Sequence, residues 1–161
     1  MNYDNSKVRR QDRLLDVQRA EELLQTCEYG ILSMTDTDGL PYAVPINFVW
    51  NKENSIYVHC AMEGKKINAL MKNPNVSFCI IGRVNLLPNK FTTEYESVIM
   101  QGKAELNITD EEKTAAIELL LQKLSPNDIV IGRKYAEKSF KRTKIIRIDF
   151  SLWSGKTKKV M

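Results

Sequence analysis

The chain has a single histidine, His59, and three cysteines, Cys27, Cys60 and Cys79, odd in number and without CxxC spacing. That scarcity argues against a His/Cys metal centre and against a disulfide framework; it suits reduced thiols. No apolar run approaches the roughly 18 residues that a membrane-spanning helix needs. Neither a GxGxxG fingerprint nor a P-loop occurs, so a Rossmann or nucleoside-triphosphatase reading has no support. The opening stretch, Met1 to Arg13, is polar and charged with no apolar h-region, so no secretory signal is read and a cytoplasmic location is expected. Internal repeats, low-complexity tracts and Gly/Ser linkers are also missing.

What is present suits one domain over residues 1–161, with 43% hydrophobic and 27% charged residues. The net charge of +4 is unevenly spread: between Arg133 and Lys159 ten Lys or Arg face two acids, Glu137 and Asp149. Few aromatics accompany Lys138, Lys141, Arg142 and Lys144, and no helix-turn-helix or RNA-binding signature is present. The basic tail therefore reads as a solvated face, or one attracting an anionic ligand, with neither nucleic acid nor membrane as partner.

Asp16 is placed to cap a first helix, with Ala20, Leu23, Leu24 and Cys27 on one face. Tyr29 to Met34 reads as a strand, and Asp36-Thr37-Asp38-Gly39 as a hairpin turn in which Gly39 supplies positive φ. Pro41 to Trp50 alternates: Tyr42, Val44, Ile46, Phe48 and Trp50 share one face, Ala43, Pro45, Asn47 and Val49 the other. Pro45 lacks a donor, which places this strand at an edge or a bulge. Ser55 to Ala61 is the third strand, Glu63 to Lys72 a short helix stopped by Asn73-Pro74, and Val76 to Gly82 the fourth strand. Asn85 to Thr93 reads as a loop and Glu94 to Leu106 as a long strand. Thr109-Asp110-Glu111-Glu112 is a capping box for a helix whose stripe is Ile117, Leu120, Leu121 and Leu124. Ser125-Pro126 starts another helix, and Lys144 to Trp153 is the last strand. Six antiparallel strands with displaced helices predict a mainly β fold, a closed or partly closed barrel.

The chemistry concentrates in residues 29–66. The third strand ends in His59-Cys60-Ala61 and the turn that follows opens a helix with Lys65-Lys66. Two ammonium groups there are either solvated lysines or a phosphate clamp; cations oppose the helix dipole unless an anion lies between them. His59 is either structural or a donor and proton relay near neutral pH. Asn47 interrupts an apolar strand with an amide.

These motifs, in this order, resemble the pyridoxamine phosphate oxidase-like flavin-binding split-barrel superfamily, and within it the nitroimidazole-resistance (Nim-type) branch. Phe91-Thr92-Thr93-Glu94-Tyr95-Glu96-Ser97-Val98-Ile99, with Gly82-Arg83 and the Pro88 loop before it, matches a signature of that branch. The resemblance runs from about Arg9 to Trp153. It implies a six-stranded Greek-key split barrel, a homodimer with two interfacial flavin sites, and FMN as cofactor. Lys66 matches the residue that holds the cofactor phosphate; Lys65 stands where relatives vary. Val44, Pro45, Ile46 and Asn47 match the strand bordering the flavin ring, and the turn containing His59, Cys60 and Ala61 lies by it, with His59 as the catalytic candidate. Ser97, and after it Glu96, would reach the cofactor of the partner subunit. The implied activity is an FMN-dependent reductase taking electrons from a nicotinamide donor, with nitroaromatic (5-nitroimidazole) compounds as small-molecule substrates. The alternative is a flavin or haem carrier without turnover. The Arg-rich substrate signature of true pyridoxamine phosphate oxidase is missing, and Trp153 is not followed by the expected Arg-Leu, so that oxidase activity is not expected.

Overall fold

A computed structural model describes residues 2–160. In chain order the elements are β1 (Asn2–Tyr3), α1 (Val17–Thr26), β2 (Tyr29–Thr35), β3 (Pro41–Asn47), β4 (Val49–Trp50), β5 (Ser55–Ala61), α2 (Lys65–Lys72), β6 (Asn75–Leu87), β7 (Thr92–Glu105), α3 (Asp110–Leu124), α4 (Ile129–Ser139) and β8 (Thr143–Lys158).

The strands are hydrogen-bonded in the order β3-β2-β6-β7-β8-β5-β4, antiparallel throughout, with β1 added parallel to β8. The two ends of that order, β3 and β4, are separated in the chain by Phe48 alone. One residue cannot bridge the edges of a flat seven-strand path, so the sheet curls until its edges nearly meet. This is a barrel split between β3 and β4, as the sequence predicts. Among the described residues the strand count is eight rather than six. One addition is β1; the other arises because the expected strand from Pro41 to Trp50 breaks at Phe48. There the chain leaves β2 and joins β5, and the Phe48 ring turns wholly inward onto Phe78 in an edge-to-face contact at 5.2 Å. Pro45 lies on β3, an edge strand, where its missing donor costs nothing.

The expected loop from Asn85 to Thr93 is mostly strand. β6 and β7 stay paired to Leu87↔Thr92, and a 3-10 turn at Pro88–Lys90, closed by Phe91 at φ 50°, makes the hairpin. A bulge between Ile81 and Val84 disguises the continuation in the sequence. The helix expected at Ser125-Pro126 begins three residues later. Asp128 N–H donates to the Ser125 carbonyl at 3.0 Å to close a turn, and α4 follows it.

The barrel interior holds Leu32, Ile56, Val58, Phe78, Ile80, Val98, Met100, Ile146 and Ile148, all essentially inaccessible. Trp153 closes this core and meets Tyr3 edge-to-face at 4.6 Å. A second cluster, Val49, Tyr57, Ala116, Leu120 and Ile145, lies between α3 and the outer face of β5 and β8. Gly102 permits the closest backbone approach, since a Cβ there would fall 2.0 Å from the Asp149 carbonyl oxygen at the β7–β8 bulge.

The helix caps follow the sequence in part. Asp16 accepts from the N–H groups of Gln18 and Arg19 and caps α1. Thr109 accepts from Glu112 N–H and caps α3, but Glu112 does not return the bond. Its carboxylate instead accepts from the Tyr57 hydroxyl and from Arg147, pinning α3 to the barrel.

Candidate functional site

The site grows from the end of β5. His59, Cys60 and Ala61 pair with Ile145, Lys144 and Thr143 of β8. Alternation sends Cys60 towards the barrel core and His59 to the opposite, α3–α4 side. Met62, Glu63 and Gly64 then reverse the chain. Gly64 has φ 128°, a conformation that favours glycine, and its carbonyl accepts the first α2 bond, from Asn68 N–H at 3.1 Å. The helix opens on Lys65 and Lys66.

The two lysines differ. Lys65 Nζ lies 3.0 Å from Asp36 Oδ2 and 4.6 Å from the centre of the Tyr42 ring. Asp36 is all but buried and also accepts from the N–H groups of Asp38 and Leu40. The Lys65 ammonium, with those backbone donors, holds the Asp36 carboxyl below the usual carboxylate range, and Asp36 raises Lys65 in turn. Lys66 makes no hydrogen bond or ion pair among the described residues. It faces His59 and Cys60 electrostatically.

Burial on its inner side pushes the His59 imidazole below its usual pKa, and the Lys66 charge pushes the same way. His59 is therefore neutral at pH 7, with one ring nitrogen donating and one accepting. Burial pushes the Cys60 thiol up, only partly opposed by Lys66 and Lys144, so it stays protonated. His59 also lines a cavity of about 270 Å³ between β5 and the α3–α4 pair.

Not every residue singled out in the sequence joins this cluster. β3, carrying Val44, Pro45, Ile46 and Asn47, lies beside β5 across the split. Val44 and Ile46 pack on the core, whereas Pro45 and Asn47 are exposed. The Asn47 amide is partly committed, donating to the Glu28 carbonyl at 3.1 Å. Glu96 is committed to Arg19, whose guanidinium approaches it to 2.8 Å and ties α1 to β7. Ser97 pairs with Lys156 of β8, whereas His59 pairs with Ile145. These partners are eleven residues apart on one strand, roughly 35 Å of extended chain. Within one copy, Ser97 and Glu96 do not meet His59 and Lys66.

The sequence reading missed Asp36 and Tyr42 as partners of Lys65. The signal was the Asp36-Thr37-Asp38-Gly39 turn itself, whose first carboxylate is drawn inward by the turn's own N–H groups. Among the described residues no cluster of three or more His, Cys, Asp or Glu side chains could hold a metal ion, and no helix is long and apolar enough to cross a membrane.

The profile of the pyridoxamine 5'-phosphate oxidase family matches residues 16–157, spanning α1 to the end of β8. The chain belongs to the pyridoxamine 5'-phosphate oxidase family. Solved structures agree with that membership. A protein from Bacteroides thetaiotaomicron, provisionally named a 5-nitroimidazole antibiotic resistance protein, is 25% identical; the match covers 90% of this chain and 86% of that one, with a TM-score of 0.76. An FAD- and haem-binding protein from Mycobacterium smegmatis shares the fold at 19% identity and a TM-score of 0.78, over 92% of this chain and 74% of that one. An FAD-binding protein from Mesorhizobium loti does so at 22% identity and a TM-score of 0.62, over 91% and 98%. No curated protein sequence matches the chain. In this member of the pyridoxamine 5'-phosphate oxidase family, Lys66, without an ion pair among the described residues, acts electrostatically on His59 near the end of β5.

Proposed function

We propose that the protein is an FMN-binding flavoprotein, active as a homodimer, that reduces nitroaromatic compounds with electrons from a nicotinamide donor. The observation that carries the cofactor assignment is Lys66. It is a partly buried residue at the start of α2 with no ion pair among the described residues, while its neighbour Lys65 is already paired with Asp36. A phosphate monoester supplies the missing charge and also satisfies the free N–H groups of the helix start. One phosphate-sized clamp and no dinucleotide fingerprint favour FMN over FAD, although two of the structural relatives are FAD-binding proteins. The Bacteroides relative, provisionally named a 5-nitroimidazole antibiotic resistance protein, supports the nitroaromatic acceptor.

FMN, when bound, supplies the hydride and electron chemistry. The chain's own contribution is positional. Lys66 would hold the phosphate, β3 from Val44 to Asn47 would offer backbone and amide groups to the ring, and His59 would hold or deliver a proton through an imidazole nitrogen. Cys60 and Ala61 complete the wall at the end of β5. Ser97 and Glu96 would act on the other copy's cofactor, a role that their separation from His59 within one chain supports.

The dimer is supported by the outer face of β2, β6 and β7. Ile31, Cys79 and Ile99 form one row across it, and Ile81, Val84 and Leu86 are exposed nearby. Exposed apolar residues grouped on one sheet face call for a partner.

A carrier without turnover is the second reading, favoured by the presence of a single proton-transfer candidate, His59, beside the clamp. Purification without added cofactor, followed by an absorption spectrum and mass analysis, tests both. Flavin gives blue and near-ultraviolet bands and haem an intense Soret band; stopped-flow reduction by NADPH then separates enzyme from carrier. A colourless protein that fails to take up FMN overturns the proposal.

A further inference from the structure

The cavity beneath α4 has a composition of its own. Leu120, Leu121 and Leu124 of α3 form one wall, Gly132 and Tyr135 of α4 another, and His59 of β5 a third side. None of its lining side chains carries a formal charge at neutral pH. The hydroxyls of Ser139 and Thr143 at its edge are spent on backbone carbonyls, at 2.9 Å and 3.1 Å. His59 makes no hydrogen bond among the described residues.

α4 has no buried residue and packs on α3 and the turn after it, so it roofs the space without filling it. Gly132 sets the height of that roof: a Cβ there would lie 2.5 Å from Leu121 Cδ2. An apolar cavity of about 150 Å³ already takes benzene. At about 270 Å³ this one has room for a single ring with substituents, and it is too small for a three-ring flavin with its ribityl phosphate.

We infer that this cavity binds a neutral, single-ring aromatic molecule, with the ring among the α3 leucines and a polar substituent on His59. The inference deepens the proposed function, and rests on it for the ligand's role as electron acceptor. The binding claim itself stands on the cavity alone. An anion of the same size would lose its hydration and gain no cation inside.

The test uses the full chain with labelled leucine methyl groups, titrated with nitrobenzene and, separately, with benzoate. Saturable nitrobenzene shifts at Leu120, Leu121 and Leu124 are expected, with benzoate at least tenfold weaker. Gly132→Leu and Ala136→Leu each fill the space and should weaken nitrobenzene at least tenfold; two variants guard against one that fails to fold, which circular dichroism reports. No methyl shifts, equal binding of benzoate, or unchanged affinity in the folded filled variant overturns the inference. FMN titration is a separate arm. Nitrobenzene binding in a protein that rejects FMN keeps the cavity and sinks the flavin reading; FMN binding without nitrobenzene binding does the reverse.

Discussion

Lys65 Nζ and Asp36 Oδ2 are 3.0 Å apart, and this pair separates the duties of two adjacent lysines. Asp36 is anchored by two backbone N–H groups and cannot follow Lys65 elsewhere. Lys65 therefore buttresses the turn before β3, and Lys66 is left for a ligand. Lys66→Ala should lose one charge-assisted hydrogen bond, about 1.5–3 kcal/mol, or about tenfold or more in FMN affinity. Lys65→Ala should change FMN affinity much less and lower the melting temperature instead. Fluorescence titration with FMN, and with FAD in parallel, checks this. Normal FMN binding by Lys66→Ala with loss in Lys65→Ala would transfer the clamp to Lys65, and FAD binding as tight as FMN would remove the single-phosphate argument.

His59 touches only one edge of a large ligand in the proposed arrangement, so His59→Ala should retain most FMN affinity. With the variant saturated in FMN, the loss should appear in reduction or reoxidation. The pH profile carries a sign. The folded-state pKa lies below the ordinary value of 6.5, so His59 stays neutral until the pH falls below that value. A rate that needs the neutral imidazole should hold from pH 8 to about pH 6.5 and fall below it, and His59→Ala should flatten the fall. Wild-type turnover by the saturated variant on every acceptor tried would make His59 structural.

The barrel was legible where each residue's local preference agrees with its final place. Asp16 caps α1, Gly39 turns the first hairpin, and Ser55 to Ala61 is β5 with the expected bounds. The reading failed where tertiary structure overrides local signals. Phe48 looks like one more inward position of a continuous strand, and only closure of the barrel makes it a break. Val84 and Leu86 are exposed apolar residues whose alternation marks no core, so β6 seemed to end early. Thr109-x-x-Glu112 predicts a reciprocal cap, but Arg147 and Tyr57, distant in sequence, hold the carboxylate. At the site, the lysine pair and His59 were legible as types; which lysine is free depends on Asp36, a contact across the fold.

The outer face of β6 and β7 should be covered in solution. Stable dimers of this kind bury on the order of 2,000 Å² or more in total. Light scattering should return twice the 18.5 kDa of one chain. Ile99→Glu puts a charge at the β7 end of the row formed with Ile31 and Cys79 and should yield monomer. If Ser97 and Glu96 act across the interface, that monomer should also bind FMN poorly. A wild-type monomer that holds FMN tightly would contradict an interfacial site.

Gly102→Ala tests the bulge between β7 and β8. The added methyl would meet the Asp149 carbonyl at 2.0 Å, and a backbone atom cannot swing aside as a side chain can. A loss of about 1–3 kcal/mol or more is expected in urea unfolding. Gly39→Asn is the contrast: φ is 83° but nothing lies within 4 Å, and Asn accepts that conformation, so stability should change little. Equal effects in the two variants would mean that the close approach is not a constraint.

Lys123 offers the clearest pH signature of stability. Its Nζ donates to the Leu24 carbonyl at 3.2 Å, near the C-terminus of α1, and lies 3.8 Å from the centre of the Phe48 ring. Burial pushes its pKa down to about 8 from 10.5. The folded state thus prefers the neutral amine, and between about pH 8 and 10.5 the unfolded chain holds more of this proton. Stability from this group must therefore rise with pH across that window and stay flat below it. Burial pushes the neighbouring Cys27 thiol up, which works in the opposite sense, because the unfolded thiol ionises first. The quantity to read is the difference between wild type and Lys123→Met, with urea midpoints measured at steps from pH 7 to 10. Wild type should gain on the variant as pH rises. A constant difference would show that Lys123 is solvated as a cation in the folded protein and that its contact with Phe48 does not desolvate it.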